Sequence, residues 1–245
     1  MSIAGSLFYA LGNLLHPRIL WLMVWPVFVA LLVWGAVAIV FWTQFVLWLA
    51  EVLRAWIETA TFFVSWDASD AARVAAKIVT LLAIVPLVQL TALLILGVFG
   101  MPEMVGHVAK RSFPELARRR GGSTAGSAWN AVVALAGLIA LGAASLPLWV
   151  FPPLWPVIPV AIMGWVNQRV LRYDALAEHA EPAEMALIFR EQRGAMYLLG
   201  VLLALVAYVP VVGLFAPVVF GLAFVHYLLG ALRERRRSPI DVSPT

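Results

Sequence analysis

Charged positions are missing from four long stretches of this chain: residues 19–50, 78–102, 121–168 and 194–232. A bilayer core of ~30 Å takes about 20 helical residues, and the shortest of the four stretches has 25. Apolar side chains fill them without the every-second-residue alternation of a membrane β-strand. Backbone in lipid must satisfy its own hydrogen bonds, so the stretches read as helices. Residues 19–50 and 78–100 predict two long transmembrane helices. Residues 129–167 and 195–232 predict two helical hairpins. The first is broken by Pro147, Pro152, Pro153, Pro156 and Pro159, the second by Pro210, Gly213 and Pro217. Proline inside a helix loses a hydrogen bond and clashes with the preceding turn. Each hairpin admits two readings: two full spans, or a re-entrant pair of legs that enters and leaves on one side.

The connecting segments are patterned differently. In residues 1–18, Ile3, Leu7, Phe8, Leu11, Leu14 and Leu15 recur at helical spacing, which suits a short amphipathic helix on the membrane surface. Residues 51–77 read as an extracytoplasmic interfacial segment, with Glu51, Arg54 and Glu58 on one helical face and Val52, Leu53 and Trp56 on another. Residues 65–70 read as a turn. Residues 101–128 form a basic loop, 168–194 a charged segment and 233–245 a basic tail. The fold class is an all-α integral membrane protein, taken as one membrane domain over 1–245.

Composition makes the membrane reading firm. Hydrophobic residues are 63% of the chain and charged residues 12%, against roughly 45–50% and about 25% in soluble domains. A soluble enzyme and a nucleic-acid-binding module are thereby excluded as first readings. The net charge of +4 is explained by orientation. Lys110, Arg111, Arg118, Arg119 and Arg120, the arginines of 168–194, and Arg233, Arg235, Arg236 and Arg237 belong on the cytoplasmic side. Both termini are then cytoplasmic, in a multi-pass inner-membrane protein. The first fifteen residues carry no basic charge, so no cleavable signal peptide is expected. Cysteine is absent, which removes disulfides, thiolate metal sites and cysteine nucleophiles.

Candidate chemistry is sparse. His16, His107, His179 and His226 stand at no metal-ligand spacing. Glu178, His179, Glu181 and Glu184 cluster, and read as a solvated acidic loop rather than a metal site. No catalytic constellation, cofactor motif or metal site is expected. Asn130 and Asn167 read as helix–helix hydrogen bonders. The bend at 210–217 is more suggestive. A helix restarting after Gly213, with Pro217 in its first turn, would present free amides and a positive dipole end to an anion at membrane depth. The other reading is an ordinary turn at the outer surface.

Residues 164–237 open GWVNQRVLRYDALAEHAEPAEMALIFREQR and close VPVVGLFAPVVFGLAFVHYLLGALRERR. The Tyr173–Asp174 pair, the charged helix after it and the proline-bounded bend resemble the etoposide-induced-protein/CysZ family of membrane proteins, as does the Pro17–Pro26 opening. Gly213 stands where that family's bend usually carries asparagine. The resemblance implies an inner-membrane protein with long spanning helices, two half-crossing hairpins, cytoplasmic termini, oligomeric assembly and sulfate uptake. The expected function is a permease or channel for a small inorganic anion such as sulfate. Arg18 would be the entry cation, and Gly213, Leu214, Phe215 and Ala216 would face the solute between Pro210 and Pro217. Asn167, Arg169, Tyr173 and Asp174 would brace the first hairpin to the cytoplasmic loop. The alternative is a structural or assembly protein of the membrane that moves no solute. The expected partners are the lipid bilayer, further copies of the chain and the anion, not nucleic acid.

Overall fold

The computed structural model describes residues 2–60, 68–209, 212–213 and 215–237. All regular structure among the described residues is helical. The main helices are α1 (Ile3–Asn13), α2 (Pro17–Ala60), α3 (Ala68–Ser112), α4 (Thr124–Ser145), α5 (Val157–Leu176), α6 (Pro182–Glu191), α7 (Arg193–Val206) and α8 (Ala216–Arg237). Among the described residues, four helical stretches are long and apolar enough to cross a membrane: Pro17–Trp56, Ser69–Ser112, Thr124–Val150 and Ala216–Arg237. The chain forms two compact units, one of residues 21–98 and the other of residues 1–20 with 99–245.

In the unit of residues 21–98, α2 and α3 meet through small side chains. Ala30 and Ala92 pack with Val88 under Trp34 and Ile84, and Ala50 and Ala76 pack with Val46 under Trp42 and Leu49. Trp34 Nε1 donates to Thr91 Oγ1 at 2.9 Å, which ties the two helices where no water competes. The outer faces remain apolar. Ile39 is 86% exposed, which suits a helix whose solvent is lipid.

Both long helices outrun their expected ends. α2 continues from Ala50 to Ala60, so the start of the expected interfacial segment is the continuation of a span. No glycine or proline lies between those positions to stop it. Of the turn expected at 65–70, residues 65–67 lie outside the described residues, and residues 68–70 are already the first turn of α3. α3 passes through Gly97, Gly100 and Pro102 and ends at Ser112, so the first part of the expected basic loop is helix. The cause is visible in its packing. Met101, Met104, Val105, Val108 and Ala109 are buried, at the i, i+3, i+4, i+7, i+8 spacing of one helical stripe. Met101 and Met104 lie against α8 at Gly221.

In the other unit, α8 is the central helix. An almost unbroken run from Val218 to Leu232 is buried, where it packs against α1, α5, α6 and α7. α1 turns an unexpected side to it. Its buried residues are Ser6, Ala10 and Asn13, while Phe8 is 76% and Leu15 82% exposed. The small and polar stripe docks onto protein and the apolar stripe faces outward, the arrangement lipid favours. Ser6 Oγ lies 3.1 Å from His226 Nδ1, and the Tyr9 ring stacks on His226.

The first hairpin breaks where its prolines stand. α4 passes into 3₁₀ turns at Leu146–Val150 and Pro152–Leu154 before α5 begins at Val157. In the second, α7 has 14 residues, about 21 Å of rise, less than a bilayer core. α5 and α7 approach at two glycines: a Cβ on Gly200 would fall on the Gly164 carbonyl oxygen. Asn167 Nδ2 donates to Gly200 O at 3.2 Å at the same crossing.

Candidate functional site

The basic end of α8 gathers the segments that the sequence reading treated as loops. Arg236 sits at the node. Its Nε and Nη2 donate to the two Glu184 oxygens at 3.0 and 2.8 Å, Nη2 also to His179 O at 2.7 Å, and Nη1 to Ala117 O at 3.2 Å. Arg119 reaches Glu181 and Glu184 at 2.9 and 3.4 Å. The Glu184 carboxylate also accepts the Glu181 amide at 2.9 Å, capping α6. These contacts correct the solvated acidic loop: Glu181 and Glu184 are ion-paired, and His179 is buried. Among the described residues no three His, Asp or Glu side chains converge as metal ligands. Burial holds the His179 imidazole below its ordinary range, so it stays neutral.

The chain before α4 is fastened to the end of α5 by backbone bonds. Arg120, Gly121 and Gly122 donate to Glu178, Ala180 and Ala177 carbonyls at 3.1, 3.0 and 2.9 Å. A Cβ on Gly121 would meet the Ala180 carbonyl oxygen, so this approach requires glycine. Ser123 then caps α4, its Oγ accepting Gly126 N at 3.1 Å.

Against this frame lies a cavity of about 160 Å³. Arg18, Lys110 and Arg118 supply its cations, His107 an imidazole, and Glu103 and Glu178 its carboxylates. Its imidazole is oriented from α1. Asn13 Nδ2 donates to Tyr9 O at 2.8 Å, which turns Asn13 Oδ1 toward His107 Nε2 at 3.4 Å. His107 Nε2 therefore carries the proton in the neutral ring, by assignment from this network. The His16 ring stands edge-on to His107 at 4.8 Å between centroids, and His16 Nδ1 accepts Arg18 N at 3.3 Å. Arg118 and Glu178, 3.9 Å apart, also line a second polar cleft of about 350 Å³ with Arg120, Ser123, Thr124 and Ser127. By contrast, a pocket of about 140 Å³ within residues 21–98 is walled by Trp34, Phe41, Trp42 and Phe45 among other apolar groups, and brings no charge.

The structure does not bring Arg18 and the bend together. Arg18 shares its cavity with Arg118 and Glu178, beside the Arg236 end of α8. Ala216 begins α8, and about 30 Å of helical rise separates it from Arg236. At the bend, Gly213 N donates to Val209 O at 2.7 Å and Phe215 N to Val212 O at 2.9 Å. Two of the amides expected to face a solute are thus used by the turn itself. Gly213 is needed because a Cβ there would meet the Ala207 carbonyl oxygen. Ala216 is buried, Pro217 lies in the first turn of α8, and Pro210 and Leu214 lie outside the described residues.

The brace residues divide into two groups. Tyr173 Oη accepts Ser123 N at 3.1 Å and Asp174 accepts the Ser127 hydroxyl at 2.6 Å, which ties α5 to the start of α4. Asn130 Nδ2 donates to the backbone oxygens of Arg169 and Val170 at 2.5 and 3.2 Å in the same interface. Asn167 instead joins α5 to α7. Arg169 takes part through its carbonyl, and its buried Nε has no hydrogen-bond partner among the described residues.

Burial pushes the Asp174 carboxyl above the usual carboxylate range, with the Ser127 hydrogen bond opposing. A carboxyl whose folded pKa is raised costs stability progressively as pH rises from the unfolded value through the folded one. Asp174→Asn keeps an oxygen for Ser127 and removes the buried charge. The variant is expected to melt at or above the wild-type temperature at pH 7, the difference closing as pH falls below the carboxylate range. A lower melting temperature at pH 7 with the same acid limb would refute this.

Groups missed by the sequence reading are Lys110, Arg118, Glu103 and Glu178 as cavity walls and His107 as their neighbour. The one usable signal was the spacing of Glu103, His107 and Lys110 on one face of α3, which a loop assignment concealed. A comparison with protein-family models matches residues 6–217 to the family described as sulfate transporter CysZ/etoposide-induced protein 2.4. The match reaches the bend and leaves most of α8 beyond it. No curated protein and no solved structure matches the chain. With its all-helical, multi-pass architecture and a match over most of its length, the chain belongs to the sulfate transporter CysZ/etoposide-induced protein 2.4 family.

Proposed function

We propose that this member of a membrane-transporter family is a permease for a small inorganic oxyanion, which binds in the cavity at Arg18. Sulfate is the anion in the family's description. The observation that carries the reading is the meeting of Arg18, at the start of α2, with Lys110 and Arg118, at and just after the end of α3, on one cavity of about 160 Å³. An anion leaving water needs such compensating donors, and guanidinium groups match oxyanion geometry. The density of arginine around this end of the unit supports a cytoplasmic placement in the inner membrane, with both termini on that side.

The test is uptake of labelled sulfate and labelled phosphate by purified protein in liposomes. Arg18→Ala removes a charged donor, and uptake is expected to fall about tenfold or more. Gly106→Leu is a second probe. Gly106 lines the cavity and a Cβ there meets nothing within 4 Å, so α3 accepts the side chain while the cavity fills. Uptake no greater than in empty liposomes would overturn the permease reading in favour of a structural or assembly protein, and uptake equal in wild type and both variants would overturn the placement of the anion in this cavity.

A further inference from the structure

We propose that the cavity at Arg18 selects a singly charged oxyanion that still carries a proton, such as dihydrogen phosphate, over a fully deprotonated dianion such as sulfate. The inference rests on the reading of this cavity as the permease's anion site. It comes from the two groups there that a simple anion site would omit. Glu103 and Glu178 share the walls with Arg18, Lys110 and Arg118. An ionised carboxylate only accepts hydrogen bonds. Sulfate at neutral pH likewise has only acceptor oxygens. Placed together, the two kinds of oxygen repel and neither finds a donor in the other. An oxyanion with a remaining O–H donates it to a glutamate oxygen, in a short charge-assisted bond, while its other oxygens accept from the arginines and the lysine.

The charge balance points the same way. Three cations and two carboxylates leave one positive charge on the walls when His107 is neutral. That complements a singly charged anion better than a dianion. Glu178 does not spend its acceptor capacity on Arg118, because their 3.9 Å separation is beyond hydrogen-bond distance. Glu103 is exposed on α3, four residues before His107 on the same helical face, so its carboxylate is available to a solute without a change in packing.

Full-length protein in liposomes separates this selection from the permease reading. Uptake of labelled phosphate and labelled sulfate is compared at pH 7, each alone and against an excess of the other. Wild type is expected to favour phosphate about tenfold, the loss an unsatisfied acceptor pair imposes on sulfate. Glutamine offers an NH₂ donor in place of an acceptor-only carboxylate. Glu103→Gln and Glu178→Gln are therefore each expected to narrow the ratio to about threefold or less, by raising sulfate uptake. Glu115→Gln, at an acid that pairs with Arg233 and Arg237 instead, is expected to leave the ratio unchanged. Sulfate uptake equal to or above that of phosphate in wild type would overturn the selection and leave the permease standing. A ratio unmoved by both glutamine variants would overturn the assignment to these carboxylates. Uptake of neither anion would overturn the permease reading and the selection with it.

Discussion

Gly200→Val is expected to unfold the α5–α7 crossing or prevent it from forming. The obstacle is backbone: a Cβ on Gly200 would fall on the Gly164 carbonyl oxygen, and no rotamer change moves a carbonyl aside. Overpacking a tight interface costs about 1–3 kcal/mol and sometimes more, and a clash with main chain belongs at the upper end. The Asn167 hydrogen bond to Gly200 O is displaced along with it, at about 1 kcal/mol. In lipid no hydrophobic force holds two helices together, so close packing at small residues must do so. At about 2–4 °C per kcal/mol for a chain of this size, a loss of about 4 kcal/mol should lower the melting temperature in detergent by about 8–16 °C. Gly142→Ala is the control. Nothing lies within 4 Å of a Cβ there, so it should match wild type or exceed it through better helix propensity. Equal melting of wild type and Gly200→Val would show that this crossing is not a close contact.

The helices were legible because charge is excluded from lipid so strongly that its absence marks the spans. Their ends were less so. Gly97, Gly100 and Pro102 read as a stop because glycine and proline are costly inside a helix, but the stripe of Met101, Met104, Val105, Val108 and Ala109 packs onto protein and outweighs them. That stripe is equally present in the sequence, where the three breakers mask it. The stripe on α1 was read correctly as a pattern and docked by the opposite face, because the rule that apolar residues face the protein interior reverses when the surroundings are apolar. At the bend, a restarted helix N-terminus suggested free amides. A chain that reverses among apolar neighbours must satisfy its own backbone, and Gly213 and Phe215 do so locally. The cavity was only partly legible. Arg18 is expected as the entry cation because it is the cation beside the Pro17–Pro26 opening, whereas Lys110 and Arg118 are read as orientation signals. Both roles fit the same residues. Only the folding of Arg18, α3 and the end of α5 around one space separates them.

Arg236→Met is expected to show how much of this gathering depends on one side chain. Arg236 and Glu184 are 18% and 17% exposed. Methionine in its place leaves the Glu184 carboxylate with Arg119 at 3.4 Å and strips the His179 and Ala117 carbonyls of their donor. Removing one partner of a fully buried pair costs 3–5 kcal/mol; with some water access, about 2–3 kcal/mol is expected, or roughly 4–12 °C in melting temperature. The pH dependence distinguishes a lost ion pair from mere loosening. The hydrogen bonds from Arg236, chiefly, hold the Glu184 carboxyl below the usual range; burial opposes them, and the Glu181 amide and the charges of Arg236 and Arg119 add to them. A depressed folded pKa contributes stability that is present above the unfolded value and is lost as pH falls through the folded one. Wild type should therefore lose its advantage over Arg236→Met as pH drops from 7 through the carboxylate range, around pH ~4 and below. A constant gap across that range would mean that Arg236 acts through packing of its aliphatic stem. A closing gap would place the stability of this end of the protein, and with it the frame of the cavity at Arg18, in the pairing of α8 with α6.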